Sequence, residues 1–203
     1  MFFTDSSMWK LISTFARDLG VSEDFITKAK QDFDSLLDRY TETRKFVSSK
    51  YNSNKLDTSL SMQNFYPWFE NLLCFFELLL TGFRHAALRE LRYYLESSTR
   101  SYFIDSKYNQ KNYEDKLKVL KGLLRERFID LLLNIPEEKK KEITDFYHKL
   151  CDYVHLSEQS QTDALKDFAL NLSLGHPEYE SDRELLEKTF DYANYLLLKS
   201  LEE

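Results

Sequence analysis

The chain has 203 residues, 42% of them hydrophobic and 31% charged, which excludes a disordered chain and allows one large domain or two small ones. Its net charge of −6 excludes a wholly basic surface that coats nucleic acid, though not a local basic patch. Only four glycines and three prolines are present. Sheets need frequent turns, and turns need those residues, so the composition predicts an all-α protein: a bundle of about seven to eight helices with short loops. The 16 Phe, 13 Tyr and 2 Trp predict a core rich in rings.

In chain order, Asp5 or Ser6 can cap a first helix that passes through Phe15 and ends at Gly20. Ser22 opens a second, with Glu23 and Asp24 at the positive end of its dipole. Phe25, Ala29, Phe33, Leu36, Leu37, Tyr40 and Val47 recur along it at helical spacing. Residues 1–50 therefore read as an N-terminal helical extension. The stretch from Ser48 to Ser61 is polar and aperiodic, and residues 51–61 are expected to be a linker to a main bundle over 62–203.

A third helix is expected from Met62 to Thr81, with Pro67 in its first turn, and a fourth from Gly82 to about Asp105. Together they predict a long hairpin at the centre of the core, with Gly82 at its corner. The apolar run Phe65 to Phe83 carries Glu70, Glu77 and Pro67, so it reads as a buried helix rather than a membrane span. Glu70 and Glu77 share a face, and in a hairpin they would meet Arg89 or Arg92. A fifth helix is expected over Tyr113 to Leu133 and a sixth over Glu137 to His155. Ser157 can cap another, to about Leu174 and the Gly175-His176-Pro177 stop, and Asp182 a last one through Leu201.

Chemistry concentrates in Tyr147-His148-Lys149-Leu150-Cys151-Asp152-Tyr153-Val154-His155, which holds two of the four histidines. On a helix, His148, Cys151, Asp152 and His155 share one face. Donors seven residues apart lie about 10 Å apart along the axis, so one helix can lend a metal only two of them, and no metal is expected. Nor is any other cofactor. Cys74 and Cys151 are too few for a disulfide framework and fit a reducing, cytoplasmic compartment. The opening Met1-Phe2-Phe3-Thr4-Asp5 does not read as a signal peptide, and no membrane association is expected.

Ala86-Ala87-Leu88-Arg89-Glu90-Leu91-Arg92-Tyr93-Tyr94-Leu95-Glu96 within the long helical pair, followed by a later helix ending Leu150-Cys151-Asp152-Tyr153-Val154-His155, resembles the HEPN superfamily. The resemblance spans roughly residues 65 to 168. It implies an α-helical bundle, usually a homodimer, that acts on RNA or a nucleotide in a defence or stress system such as a toxin–antitoxin pair with a cognate regulatory protein. It also implies a metal-independent endoribonuclease with an Arg, four to six residues, then a His. His155 matches that histidine, but the arginine's place holds Leu150, Lys149 or His148. The resemblance thus implies His155 as acid and base, with Lys149 or His148 stabilising charge. Arg89 and Arg92 are the candidates for holding a phosphate. The alternative is a non-catalytic helical interaction or dimerisation module with a degenerate site.

Overall fold

Residues 5–123, 126–154 and 178–202 are described by the computed structural model. They form an all-α bundle with no strand among them. Helix α1 spans Asp5–Asp18, α2 Glu23–Lys50, α3 Ser53–Thr58, α4 Leu60–Phe65, α5 Trp68–Leu80, α6 Arg84–Lys107 and α7 Tyr113–Gly122. A 3-10 turn covers Phe128–Leu131, then α8 spans Glu137–Val154 and α9 Tyr179–Glu202. The helix expected from Ser157 to Leu174, its Gly175-His176-Pro177 stop, and His155 lie outside the described residues. No helix among the described residues is long and apolar enough to cross a membrane.

The N-terminal helices form as their spacing predicts. Gly20 turns left-handed at φ 85° after α1, and the Ser22 hydroxyl accepts the Phe25 N–H at 3.3 Å to start α2. Ile26, Ala29, Phe33, Leu36, Tyr40 and Val47 of α2 are buried, and Phe33 meets the rings of Trp9 from α1 and Phe76 from α5. One core cluster runs from Trp9 through to Leu201, so the 1–50 helices share a core with the bundle.

The segment expected as a linker folds instead. Residues 51–61 hold α3 and the start of α4, capped by the side chains of Asn52 and Ser59, and they bury Leu56, Leu60 and Ser61. Its polar residues serve as caps rather than as a solvated coil. The third helix is likewise split. Pro67 has no N–H to continue α4, so the chain turns at Tyr66-Pro67 before α5 begins, and the Tyr40 hydroxyl donates to the Tyr66 carbonyl at 2.8 Å. Helices α5 and α6 form the hairpin, with Gly82 at φ 85° in the corner. Leu72, Leu73, Phe76, Leu80, Leu88, Leu91 and Leu95 are all buried, and Phe69 packs against them partly covered. The expected fifth helix ends early. Helix α7 stops at Gly122, and the chain reaches Leu133 through the 3-10 turn.

Helix α6 is the element that the others surround: α4, α5, α7, α8, α9 and the 3-10 turn all pack on it. Five consecutive residues, Ser101 to Asp105, are buried, which covers more than a full turn of the helix. The polar ones inside bond back to the helix, Ser98 to the Tyr94 carbonyl at 2.8 Å and Thr99 to that of Leu95 at 2.9 Å.

Two buried charges near the ends of α6 have the wrong sign for its dipole, Arg84 at the positive end and Asp105 near the negative, where the exposed Lys107 alone suits it. Each is held by another element. Arg84, its side chain 8% exposed, makes a two-pronged contact to the fully buried Asp182 in the first turn of α9 (2.7 and 2.9 Å) and pairs with Glu178. Burial alone would lower the Arg84 pKa, but the hydrogen bonds and charges of Asp182 and Glu178 outweigh it and raise it. Asp105 accepts from the backbone N–H groups of Leu60 (3.0 Å) and Ser61 (2.8 Å), the Ser59 hydroxyl (2.9 Å) and the Lys116 ammonium (2.9 Å). An unfavourable dipole position costs about 0.3–1 kcal/mol. Breaking a buried pair costs about 3–5 kcal/mol, so the tertiary pairing decides where these charges sit.

Two stability outcomes are expected. Leu91→Ala, at a position 2% exposed, lowers the unfolding free energy by about 2–5 kcal/mol in chemical denaturation. Asp182→Ala costs about 3–5 kcal/mol by leaving the buried Arg84 charge with only the half-exposed Glu178, whereas the joint change Arg84→Met with Asp182→Leu costs less than that single change. A joint loss as large as the sum of two separate losses would show that the two groups do not act as a pair.

Candidate functional site

A groove of about 490 Å³ lies between α6 and α7, lined by Tyr93, Glu96, Ser97, Arg100, Leu120 and Lys121. The α6 contribution follows from helical geometry: positions 93, 96, 97 and 100 form one face. The α7 wall is set by packing. Leu60, Phe103, Ile104, Leu123 and Leu131 form a second apolar cluster against which Leu117 and Leu120 rest. The Asp105–Lys116 pair ties the same helix to the end of α6.

Glu96 sits at the centre of a cationic cluster. Its carboxylate accepts from Arg100 at 2.6 Å, four residues on, and lies 3.5 Å from Arg92, four residues back. The three side chains are only 16–21% exposed. The Nε–H groups of both arginines are buried and have no partner among the described residues. One carboxylate therefore serves two guanidiniums that offer five donors each. Lys121 adds a third cation at the groove wall.

Aromatic rings frame these charges. Tyr93 is 50% exposed at the groove and lies 5.5 Å from the Arg92 guanidinium. The Tyr147 ring of α8 stacks on Phe128 of the 3-10 turn with centroids 3.9 Å apart and planes 2° from parallel. Its hydroxyl is 3.5 Å from both Arg92 and Glu96, long for a hydrogen bond. Burial is the main cause that pushes the Tyr147 phenol above its ordinary pKa, so it stays a neutral donor. Burial pulls the Arg92 pKa down, but Tyr147, Cys151 and Glu96 outweigh it and raise the value.

The sequence-derived candidates are not gathered at one place. Arg92 stands in the cluster behind the groove. Arg89 is 50% exposed on another face of α6, at 4.0 Å from Glu90. Glu70 and Glu77 are exposed on α5, and the partners described for Arg89 and Arg92 are Glu90 and Glu96 instead. His148 and Lys149 are exposed on α8, outside the groove walls. Lys149 lies two residues from Tyr147, about 200° around the helix, so it projects away from the side that meets Arg92. His155 lies outside the described residues. No three of His, Cys, Asp and Glu come together as a metal would require among the described residues.

Arg100, Lys121, Tyr93 and Tyr147 were not among the sequence-derived site residues. The spacing of Arg92, Glu96 and Arg100 was visible as two successive i,i+4 pairs on one face. Nothing in the order of residues places Lys121 beside Arg100. Comparison with family models, with curated proteins and with solved structures finds no match to this chain.

Proposed function

We propose that this chain is a HEPN-like RNA- or nucleotide-associated protein and that the groove between α6 and α7 takes a phosphate. The observation that carries the reading is the pair of arginines, Arg92 and Arg100, sharing one carboxylate while each keeps a buried, unpartnered Nε–H. Guanidinium forks match the oxygens of a phosphate, and a half-exposed ring at the same groove supplies a surface for a base. The groove volume falls within the usual range for small-ligand sites. The reading is one of binding rather than cleavage, because His148 and Lys149 stand apart from the arginines. A metal-independent endoribonuclease would need His155 brought to the phosphate.

Glu96 then plays an internal anion that the phosphate has to displace or share. This gives substitutions of opposite sign. With a fluorescent single-stranded RNA in an anisotropy titration, Arg100→Ala weakens binding by about tenfold or more and lowers the salt slope by about one. Glu96→Gln tightens binding, because the competing charge is gone. Thermal melts of both variants check that the fold is kept. No binding by the parent chain, or equal binding by all three, contradicts the reading and leaves the interaction module in its place. Cleavage of the same RNA in excess chelator, lost in His155→Ala, would extend the reading to catalysis.

A further inference from the structure

A second concavity, of about 260 Å³, lies at the far side of α7. Asn54, Lys55 and Thr58 of α3, Ser59, Asp105 near the end of α6, Asn109 and Gln110 of the α6–α7 turn, Lys116, and the end of α9 line it. We propose that this cleft binds a small oxyanion, a compound bearing one phosphate or carboxylate group, through Lys116 and Lys55. The proposal does not rest on the reading of the arginine groove.

The chemistry of the walls selects the sign of the ligand. Asp105 is the one carboxylate in the lining, and its oxygens are spent. Oδ1 takes the Leu60 N–H and Lys116, and Oδ2 takes the Ser59 hydroxyl and the Ser61 N–H. A carboxylate has about four acceptor sites, so this one has none to offer a cation. Lys116 is only 4% exposed, and its ammonium donates to Asp105 at 2.9 Å and to the Thr58 carbonyl at 3.0 Å. An ammonium has three hydrogens, and the third has no protein partner among the described residues. A buried donor left unused costs free energy, and an anion on this wall would take it.

The charge balance points the same way. Asp105 neutralises Lys116, and no carboxylate is described against Lys55, whose ammonium lies 5.7 Å over the Tyr51 ring. One net positive charge remains, beside the amides of Asn54, Asn109 and Gln110, which suit the remaining polar atoms of a ligand. The walls are pinned in advance: Asn52 caps α3, Asn112 caps α7, and Asp105 fixes the start of α4 to the end of α6. The volume lies just below the usual small-ligand range, so the occupant is a compact anion rather than a polymer.

The test is calorimetric titration and thermal melting of the whole chain with inorganic phosphate and, separately, succinate, each against chloride at equal ionic strength. Phosphate or succinate should bind and raise the melting temperature beyond chloride, and the stronger of the two names the headgroup. Lys55→Gln, at a partly exposed position that leaves the Asp105–Lys116 pair whole, should weaken binding by about tenfold. Measured in an Arg100→Ala background, which removes the other groove's share of the anion, the same Lys55→Gln loss should remain. No effect of either anion beyond chloride overturns the proposal. Binding that survives Lys55→Gln but is lost in Arg100→Ala overturns it too, because the anion would then sit in the arginine groove.

Discussion

Helix α6 is covered along most of its length and buries near its ends two charges that oppose its own dipole, Arg84 and Asp105. The Arg84 and Asp105 side chains are buried and have little solvent to screen them, so each has to find a protein partner. Asp182 and Glu178 answer Arg84, while Lys116 and the first turn of α4 answer Asp105. The partners gain as well. Asp182 stands in the acidic first turn of α9, and Asp105 accepts two N–H groups at the start of α4, both places where a negative charge suits the dipole. The sequence distance bridged is large, 98 residues for Arg84–Asp182 and 44 for Asp105–Ser61. The two clamps fix where α4, α7 and α9 sit around one helix, and between them apolar packing is joined by the Arg92–Glu96–Arg100 cluster and the Asn64 contacts to Ser97 and Ser98.

Both concavities inherit their shape from this arrangement. The arginine groove takes one wall from the exposed face of α6 and the other from α7, whose position is set by Lys116 on Asp105. The smaller cleft is built on that pair directly. They differ in how charge is stored. In the groove a single carboxylate is shared between two arginines, and binding an outside anion means competing with it. In the cleft the carboxylate is saturated by four donors and does not compete, so the unspent donor lies on the lysine. The chain as a whole is acidic at −6, so both are local exceptions to its overall charge.

Helical spacing of apolar residues locates the core: Ala29, Phe33, Leu36, Tyr40 and Val47 in α2, and Leu72 to Leu95 across the hairpin, are buried, while Phe25 and Leu37 are partly covered and Ile26 takes a buried place that the spacing did not name. The reading of the sequence fails where composition stands in for pattern. Residues 51–61 are polar because Asn52 and Ser59 cap short helices and Ser59 binds Asp105, yet Leu56 and Leu60 among them are buried. Apolar residues continue from Leu117 to Leu133, but their helix stops at Gly122, and the turn at Phe128 brings a ring under Tyr147. Of the site, Arg92, Glu96 and Arg100 could be read as a row on one helix. Lys121, Tyr147 and Lys116 could not, since each meets α6 only through tertiary packing. Arg84 and Asp105, opposed to the α6 dipole, are a signal in the sequence itself, because charges so placed call for distant partners.

Native-state hydrogen exchange of the α6 amides tests the clamped-helix account most directly. Helix ends ordinarily fray and exchange through small local openings. With Asp105 saturated and Ser101 to Asp105 buried, the amides from Tyr102 to Asp105 should exchange as slowly as those near Leu91, by global unfolding. In Asp105→Asn those terminal amides should exchange faster than the centre of the helix, while the parent's do not. Fast exchange of the α6 ends in the parent chain, with only the central amides protected, would contradict the account.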